Sequence, residues 1–375
     1  MSLIRLSQGA VTVSGAIAQK PAVSGHAWML LQYLLGLRKL GFDVLFVDQL
    51  TNASPKEIAW LESVMSQTGL DQSWSLLFEG GSIGLPRGRV IERVRSSLFL
   101  LNVMGFLKDE EILTAAHRRV FLDIDPGFGQ MWHELGLADV FAGHDHFVTI
   151  GENIGKPRCR IPTCGLNWLT TRQPVVLDEW PLQGPSGTSF TSVGRWRSDY
   201  APVVYEGQTF GLRVHEFRKF MTLPRLVNET FELALDIDSG ETPDLALLKL
   251  NGWRLVPPEE VAGDLGVYRS YLQASMAEFL VAKNMYVDTR SGWFSDRSAC
   301  YLASGRPVVA QDTGLAELYP IGEGLVAYQT LDEAVAAVND IGRDYRRHAR
   351  RAREIADEFF NSDKVLTRLV EAVAD

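Results

Sequence analysis

VTVSGAIAQKPAVSGHAWMLLQYLLGLRKLGFDVLFVD, residues 11–48, carries the fold in its hydrophobic spacing. Val11–Ile17 reads as a strand, and Gln19–Gly25 is a loop rich in turn residues. From His26 to Leu40 the apolar residues return at helical spacing, with Leu30, Leu34, Leu37 and Leu40 in a stripe. Arg38 and Lys39 ahead of Gly41 are the cations and glycine that close a helix. Val44–Val47 is a second short strand, stopped by Asp48. Strand, loop, helix, glycine and strand make one βαβ unit of a parallel sheet.

The alternation continues outward from this unit. Arg89–Phe106, Arg119–Asp125 and Phe147–Ile150 read as further strands, the second ending at Pro126-Gly127. Three prolines and two glycines between Gln173 and Gly187 read as a linker. Beyond it, Ser189–Val193, Thr230–Ile237, Trp253–Val256, Met285–Val287 and Pro307–Ala310 read as strands. His215–Met221, Tyr268–Leu280, Ser295–Ala303, Leu331–Ile341, Asp344–Phe360 and Lys364–Val373 read as helices. The expected architecture is α/β, with Rossmann-like domains over residues 1–184 and 185–375 and a cleft between them. In open α/β sheets ligands sit in the crevice at the carboxyl ends of the strands.

Composition limits the partners. The 375 residues are 46% apolar and 22% charged, a globular balance with room for two domains. Lys and Arg total 37 against 46 Asp and Glu, a net charge of −9 that argues against nucleic acid as the main partner. Cys159, Cys164 and Cys300 form no CxxC pair, so neither a disulfide framework nor a cysteine zinc site is expected. Met1–Gln8 does not read as a targeting leader. The apolar runs Ala27–Leu37 and Leu98–Leu107 fall short of the roughly 20 residues that span a bilayer. A cytoplasmic protein without an integral membrane segment is expected.

The Ser24-Gly25-His26 junction places an imidazole at the mouth of the sheet beside a helix N-terminus, whose partial positive charge favours the neutral ring. With Gly41-Phe42-Asp43-Val44 following at fifteen residues, it resembles the start of nucleotide-sugar glycosyltransferases of the plant and antibiotic type. Met29 stands where that family has proline. The stretch Ser304-Gly305-Arg306-Pro307-Val308-Val309-Ala310-Gln311-Asp312-Thr313-Gly314, then Glu317, resembles the donor segment of GT-B glycosyltransferases, and Ser192-Val193-Gly194-Arg195 resembles the opening of their second domain. The resemblance covers residues 190–370, and 12–48 more weakly. It implies two facing Rossmann-like domains, an acceptor held mainly by the first, and a nucleotide-diphosphate sugar (UDP or TDP type) held by the second. It also implies no metal or other cofactor.

The residues carry the chemistry in detail. Ser291-Gly292-Trp293-Phe294-Ser295-Asp296-Arg297-Ser298 is a Gly/Ser loop feeding a helix, a candidate anion cradle for a diphosphate, with Ser295 as N-cap. Arg195, Arg197 and Arg297 are candidate phosphate ligands. Gly25 is placed at the donor, and Asp312, Thr313, Gly314 and Glu317 at its sugar. Many retaining relatives carry two glutamates eight residues apart where this chain has Gly292 and Cys300. Their absence favours inversion with His26 as base, partnered by Asp125 or, in reserve, Asp123. A nucleotide-sugar 2-epimerase of the same fold and a non-catalytic sugar-nucleotide binding protein are the alternatives. His144-Asp145-His146 lacks a third histidine, so no metal site is assigned. Arg343–Arg353 reads as a solvated helix face. Trp28, Trp132, Trp168 and Trp180 are either an aromatic acceptor pocket or core.

Overall fold

The computed structural model describes residues 9–184, 187–197 and 200–374. Met1–Gln8, and Pro185 and Ser186 at the expected domain boundary, lie outside the described residues. The first unit is built on β1 (Ala10–Ser14), β2 (Asp43–Gln49), β3 (Trp74–Phe78), β4 (Gly81–Gly84), β5 (Ser97–Val103), β6 (Arg119–Asp123), β7 (His146–Thr149) and β8 (Trp168–Thr170). They form one sheet in the order β4-β3-β2-β1-β5-β6-β7-β8, parallel except for β4. A small antiparallel hairpin, β10 (Val203–Tyr205) and β11 (Gln208–Phe210), follows β9 (Ser189–Arg195). The second sheet adds β12 (Thr230–Asp236), β13 (Trp253–Val256), β14 (Ala277–Leu280), β15 (Val308–Gln311) and β16 (Leu325–Tyr328), all parallel, in the order β13-β12-β9-β14-β15-β16. In both sheets the winding reverses beside the first strand, between β1 and β5 and between β9 and β14. Such reversals open crevices at the carboxyl ends of the strands.

The helix Ser24–Lys39 is buried on every side, from Ala27 through Leu37. A helix apolar all round belongs inside a protein, and here both units cover it. Trp28 Nε1 donates to Leu265 O of the second unit at 3.0 Å, and Gln32 Oε1 accepts from Val176 N at 2.7 Å.

Several elements differ from the sequence expectation. Arg89–Phe106 is not one strand: Arg87–Ser96 is a helix and only Ser97–Val103 is strand. Val90, Ile91 and Val94 make one buried helical face, so their spacing outweighs their β-branched character. Tyr268–Leu280 divides into a helix, Leu265–Ala274, and β14, while Met285–Val287 lies in the short helix Asn284–Asp288. The helix Pro55–Gln67 and strand β3 were not anticipated. The Ser54/Glu57 capping box was the legible signal for that helix.

The linker is packed. Val175, Val176, Leu177 and Trp180 are buried, and Arg306 and Arg353 donate to Gln183 O (2.5 Å) and Trp180 O (2.9 Å). The last helix, Ser362–Ala374, returns to the first unit and lies on Ser24–Lys39, with Arg118 Nη1 bonded to Val373 O at 2.6 Å. That crossing needs Gly36, where a Cβ would stand 2.4 Å from Leu366 Cδ1 and 3.0 Å from Ser362 Cβ. Gly36→Val is expected to destabilise the fold by about 1–3 kcal/mol through overpacking, since valine recovers only a few tenths of glycine's helix deficit. Urea unfolding checks this, and an unchanged midpoint would refute the close crossing.

Candidate functional site

The loop after β1 brings Ser24-Gly25-His26 to the crevice of the first sheet. It is held by the buried Asp48 carboxylate, which accepts from Ala18 N (2.6 Å), Gln49 N (2.8 Å) and Gln19 Nε2 (3.1 Å). Burial raises Asp48 to about 7 against the pull of these hydrogen bonds. Across the cleft, β9 delivers Gly194-Arg195 and β14 leads into Lys283, so Arg195 and Lys283 flank the winding reversal of the second sheet.

Cations collect between these ends. Arg213 Nη1 donates to Arg195 O at 3.3 Å, and a Cβ on Gly194 would lie 2.2 Å from that nitrogen, so glycine is what lets the guanidinium in. Arg195 Nε is 3.3 Å from Asp236 Oδ2, Arg297 Nε bonds the fully buried Glu278 at 2.6 Å, and Lys283 Nζ bonds Asp125 Oδ2 at 2.7 Å. The Tyr286 hydroxyl donates to the other Asp125 oxygen.

Burial first, and neighbouring cations second, disfavour several of these charges, whereas Arg297, lowered by burial, is raised overall by the buried Glu278 and the other acidic groups beside it. Arg213 is lowered to about 10, first by burial and then by Arg297. Burial and Arg195 lower Lys20, and burial lowers Lys283 despite Asp125. His26 falls to about 3, through burial first and then Lys20 and Arg195. Its imidazole is therefore neutral across the physiological range. Several buried donors and acceptors here have no partner among the described residues: Ser24 Oγ, His26 Nε2, Arg213 Nε, Arg297 Nη2 and Ser298 Oγ. Unpaired buried polar atoms beside mutually repelling cations describe a place for an anion with hydrogen-bonding oxygens.

The sequence-derived site residues divide into those at this place and those elsewhere. His26, Gly25, Arg195 and Arg297 border it, with a Gly25 Cβ position 3.2 Å from the Tyr268 hydroxyl. Neither expected carboxylate bonds His26. Asp125, one residue beyond Ile124 and past the end of β6, reaches across to Lys283 and Tyr286. Asp123, inside the strand, accepts from Gln130 Nε2 (2.7 Å) and Thr149 Oγ1 (2.9 Å), and burial raises it to about 6. The His26–Asp125 and His26–Asp123 pairings are thus corrected.

At the expected Ser291–Ser298 cradle, Asn153 of the first unit occupies carbonyl oxygens rather than N–H groups. Asn153 N donates to Ser291 O at 3.0 Å, and its Nδ2 to Arg290 O and Gly314 O at 3.2 Å each. Cβ atoms on Gly292 and Gly314 would come within 2.9 Å and 2.6 Å of Asn153. These glycines admit a neighbouring side chain. Gly292 N bonds Thr313 O, Trp293 N bonds Ser291 Oγ, and Thr313 Oγ1 bonds Trp293 O. Trp293 stacks on Tyr286 at 4.2 Å. Ser295 is the N-cap residue but its side chain makes no capping bond, while burial raises the Asp296 carboxyl.

Asp312 caps the turn after β15, accepting from Gly314 N and Leu315 N at 2.9 Å each. Glu317 meets Arg158 at 2.9 Å, and the exposed Arg197 pairs with Glu241. Arg353, in the arginine run, is bonded to buried carbonyls, whereas Arg347 and Arg351 pair with acidic neighbours. Trp28 and Trp180 pack edge to face in the core, Trp168 packs among Phe121, Phe141 and Phe147, and Trp132 against Phe128 and Tyr200.

Sequence reading missed Lys20, Arg213, Lys283 and Tyr286. Lys283 follows Ala277–Leu280, four apolar or β-compatible residues absorbed into the preceding helix, so its position at a strand end was hidden. His144 bonds Asn102 and Phe141 O, and Asp145 pairs with Arg119. Among the described residues no three His, Cys, Asp or Glu side chains gather as a metal site, and no helix is long and apolar enough to cross a membrane.

No protein-family model matches the sequence, and no curated protein matches it either. Solved structures do match the fold over nearly the whole chain. HepE of Anabaena, solved with UDP-glucose, aligns at a TM-score of 0.59 and 12% identity, covering 98% of this chain and 99% of its own. AviGT4, a glycosyltransferase involved in avilamycin A biosynthesis, aligns at 0.59 and 12%, covering 97% of each chain. An α-glucosyltransferase solved with UDP and a 13-mer DNA aligns at 0.60 and 10%, covering 98% of this chain and all of its own (100%). At these identities the likeness concerns architecture: the chain has the GT-B fold, two facing Rossmann-like domains, that these glycosyltransferases share.

Proposed function

We propose that the protein is a glycosyltransferase that moves a sugar from a nucleotide-diphosphate sugar to an acceptor hydroxyl. The observation that carries this reading is the cluster of Lys20, Arg195, Arg213, Lys283 and Arg297 at the β9/β14 reversal, with unpartnered donors and the N-terminus of Ser24–Lys39 beside it. A diphosphate offers acceptor oxygens to the unpartnered Arg213 Nε and Arg297 Nη2 and negative charge to the cluster. The matching structures with UDP and UDP-glucose support the same class of donor.

In the reaction, the acceptor oxygen attacks the anomeric carbon as its proton passes to His26 Nε2. The bond from that carbon to the phosphate oxygen breaks, and the nucleoside diphosphate leaves with the electron pair into the cationic cluster. Direct displacement inverts the anomeric centre. The cations stabilise the developing charge on the leaving group, the part of the reaction where fixed positive charge helps most. Buried and beside Lys20 and Arg195, His26 at about 3 is a weak base. An arriving diphosphate offsets Lys20 and Arg195 and raises it.

A thermal-shift series with UDP, TDP and their sugars tests donor binding, since a ligand at a hundred times its Kd stabilises by about 2.7 kcal/mol. No shift from any of them would overturn the proposal. His26→Ala is expected to lower turnover by about two to four decades while donor binding persists; turnover within about threefold of the parent removes His26 as base. In an NMR pH titration, the His26 ring should stay neutral down to about pH 3 without ligand and protonate at higher pH with UDP bound. An unmoved midpoint would contradict the proposed contact between diphosphate charge and this ring.

A further inference from the structure

The last helix, Ser362–Ala374, leaves a crevice of about 150 Å³ against β8, the edge strand of the first sheet. A cavity of that size holds a body of about six non-hydrogen atoms, as a benzene ring has. Leu169 of β8 and Val365 and Leu369 of the helix make its apolar side. Leu169 is left 37% exposed there, an apolar surface without a cover. Thr170, Thr171 and Arg368 make its polar side. None of the clustered cations at the β9/β14 reversal lines it.

Two arginines line the crevice, and they differ in bonding capacity. Arg172 is committed: its Nε meets the two oxygens of the buried Glu152 at 3.1 and 3.0 Å. Its guanidinium also lies 5.3 Å from the Tyr319 ring and 5.1 Å from the Phe359 ring. The Tyr319 hydroxyl donates to Glu152, so the pair is held from the second unit as well. Arg368, by contrast, has no hydrogen bond or ion pair among the described residues, and neither do the hydroxyls of Thr170 and Thr171. Glu152 cancels the charge of Arg172, and the charge of Arg368 remains. A planar carboxylate matches the fork of a guanidinium with two parallel hydrogen bonds. A dianion would set its second charge against Glu152, and an amine would face Arg368. A wholly polar ion would leave Leu169, Val365 and Leu369 uncovered.

We propose that this crevice binds a small monocarboxylate with an aliphatic or aromatic body. The carboxylate meets Arg368 and the threonine hydroxyls, and the body covers Leu169, Val365 and Leu369. The site is separate from the transfer reading and does not depend on it. Butyrate and benzoate are the probes, titrated against the full chain by saturation-transfer NMR, with butylamine, butanol and inorganic phosphate as comparisons. At least one of the two acids is expected to bind, and more tightly than all three comparisons. Arg368→Gln should weaken it about tenfold, the loss of a hydrogen bond to a charged group. Ala372→Leu, which adds bulk to the wall and keeps the charge, should weaken it at least as much. Both positions are exposed, so the urea midpoints of the variants should match that of the parent. Failure of both acids to bind, butanol or butylamine binding as tightly as the acid, phosphate displacing it at equal concentration, or unchanged affinity in either variant would overturn the assignment.

Discussion

The absence of a solvent face on Ser24–Lys39 organises the molecule. A helix exposed on one side can slide or tilt at small cost, but this one packs against its own sheet, the second unit and the returning helix Ser362–Ala374. Burying each large side chain on it contributes about 1.5–3 kcal/mol, so any displacement exposes or overpacks several at once. Its N-terminal turn, Ser24-Gly25-His26, is consequently fixed relative to both sheets. Trp28 and Gln32, one turn apart on the helix, lock that placement by bonds to Leu265 O and Val176 N.

The same rigidity explains how cations are held together. Lys20, Arg213 and Lys283 each lose some preference for the charged state through burial. A flexible site would relax by turning them out to water. Here Arg213 is threaded past Gly194, and Lys283 is fixed by Asp125 and by the rings of Phe128 and Tyr286 at 5.0 and 5.4 Å. Burial disfavours these charges and the packing keeps them from turning out to water, so on the transfer reading an entering diphosphate is met by cations already in place.

Much of the fold was legible because parallel strands and helices have distinct spacings. β12 and β13 were placed almost to the residue, and the 11–48 unit in its right order, although Val11–Ile17 overran β1 by three residues. The errors fell where residue type and spacing disagreed, as at Val90, Ile91 and Val94, or where a short strand directly followed a helix, as at Ala277–Leu280. The site was less legible, since it is assembled from separate loops. Gly25, His26, Arg195 and Arg297 carry local signals, a helix start or a strand end. Lys20, Arg213 and Lys283 acquire meaning only when the two crevices face each other. The glycines of the Ser291–Gly314 region misled for a related reason: close approach demands glycine whether the neighbour is a phosphate or, as here, Asn153.

Strand alternation accounts for the carboxylates, and through them for how His26 can act. Asp123 lies within β6 and is consumed by Gln130 and Thr149, which fix the strand's exit. Asp125 comes after the strand ends, free of the sheet, and its reach across the cleft ties the first unit to Lys283. Neither remains to support an imidazolium at His26, unlike a serine-hydrolase triad where a carboxylate stabilises that cation. On the transfer reading, the donor takes over this role. The diphosphate offsets Lys20 and Arg195 but not the burial that does most to lower His26, so on that reading donor occupancy raises the basicity of the ring in part.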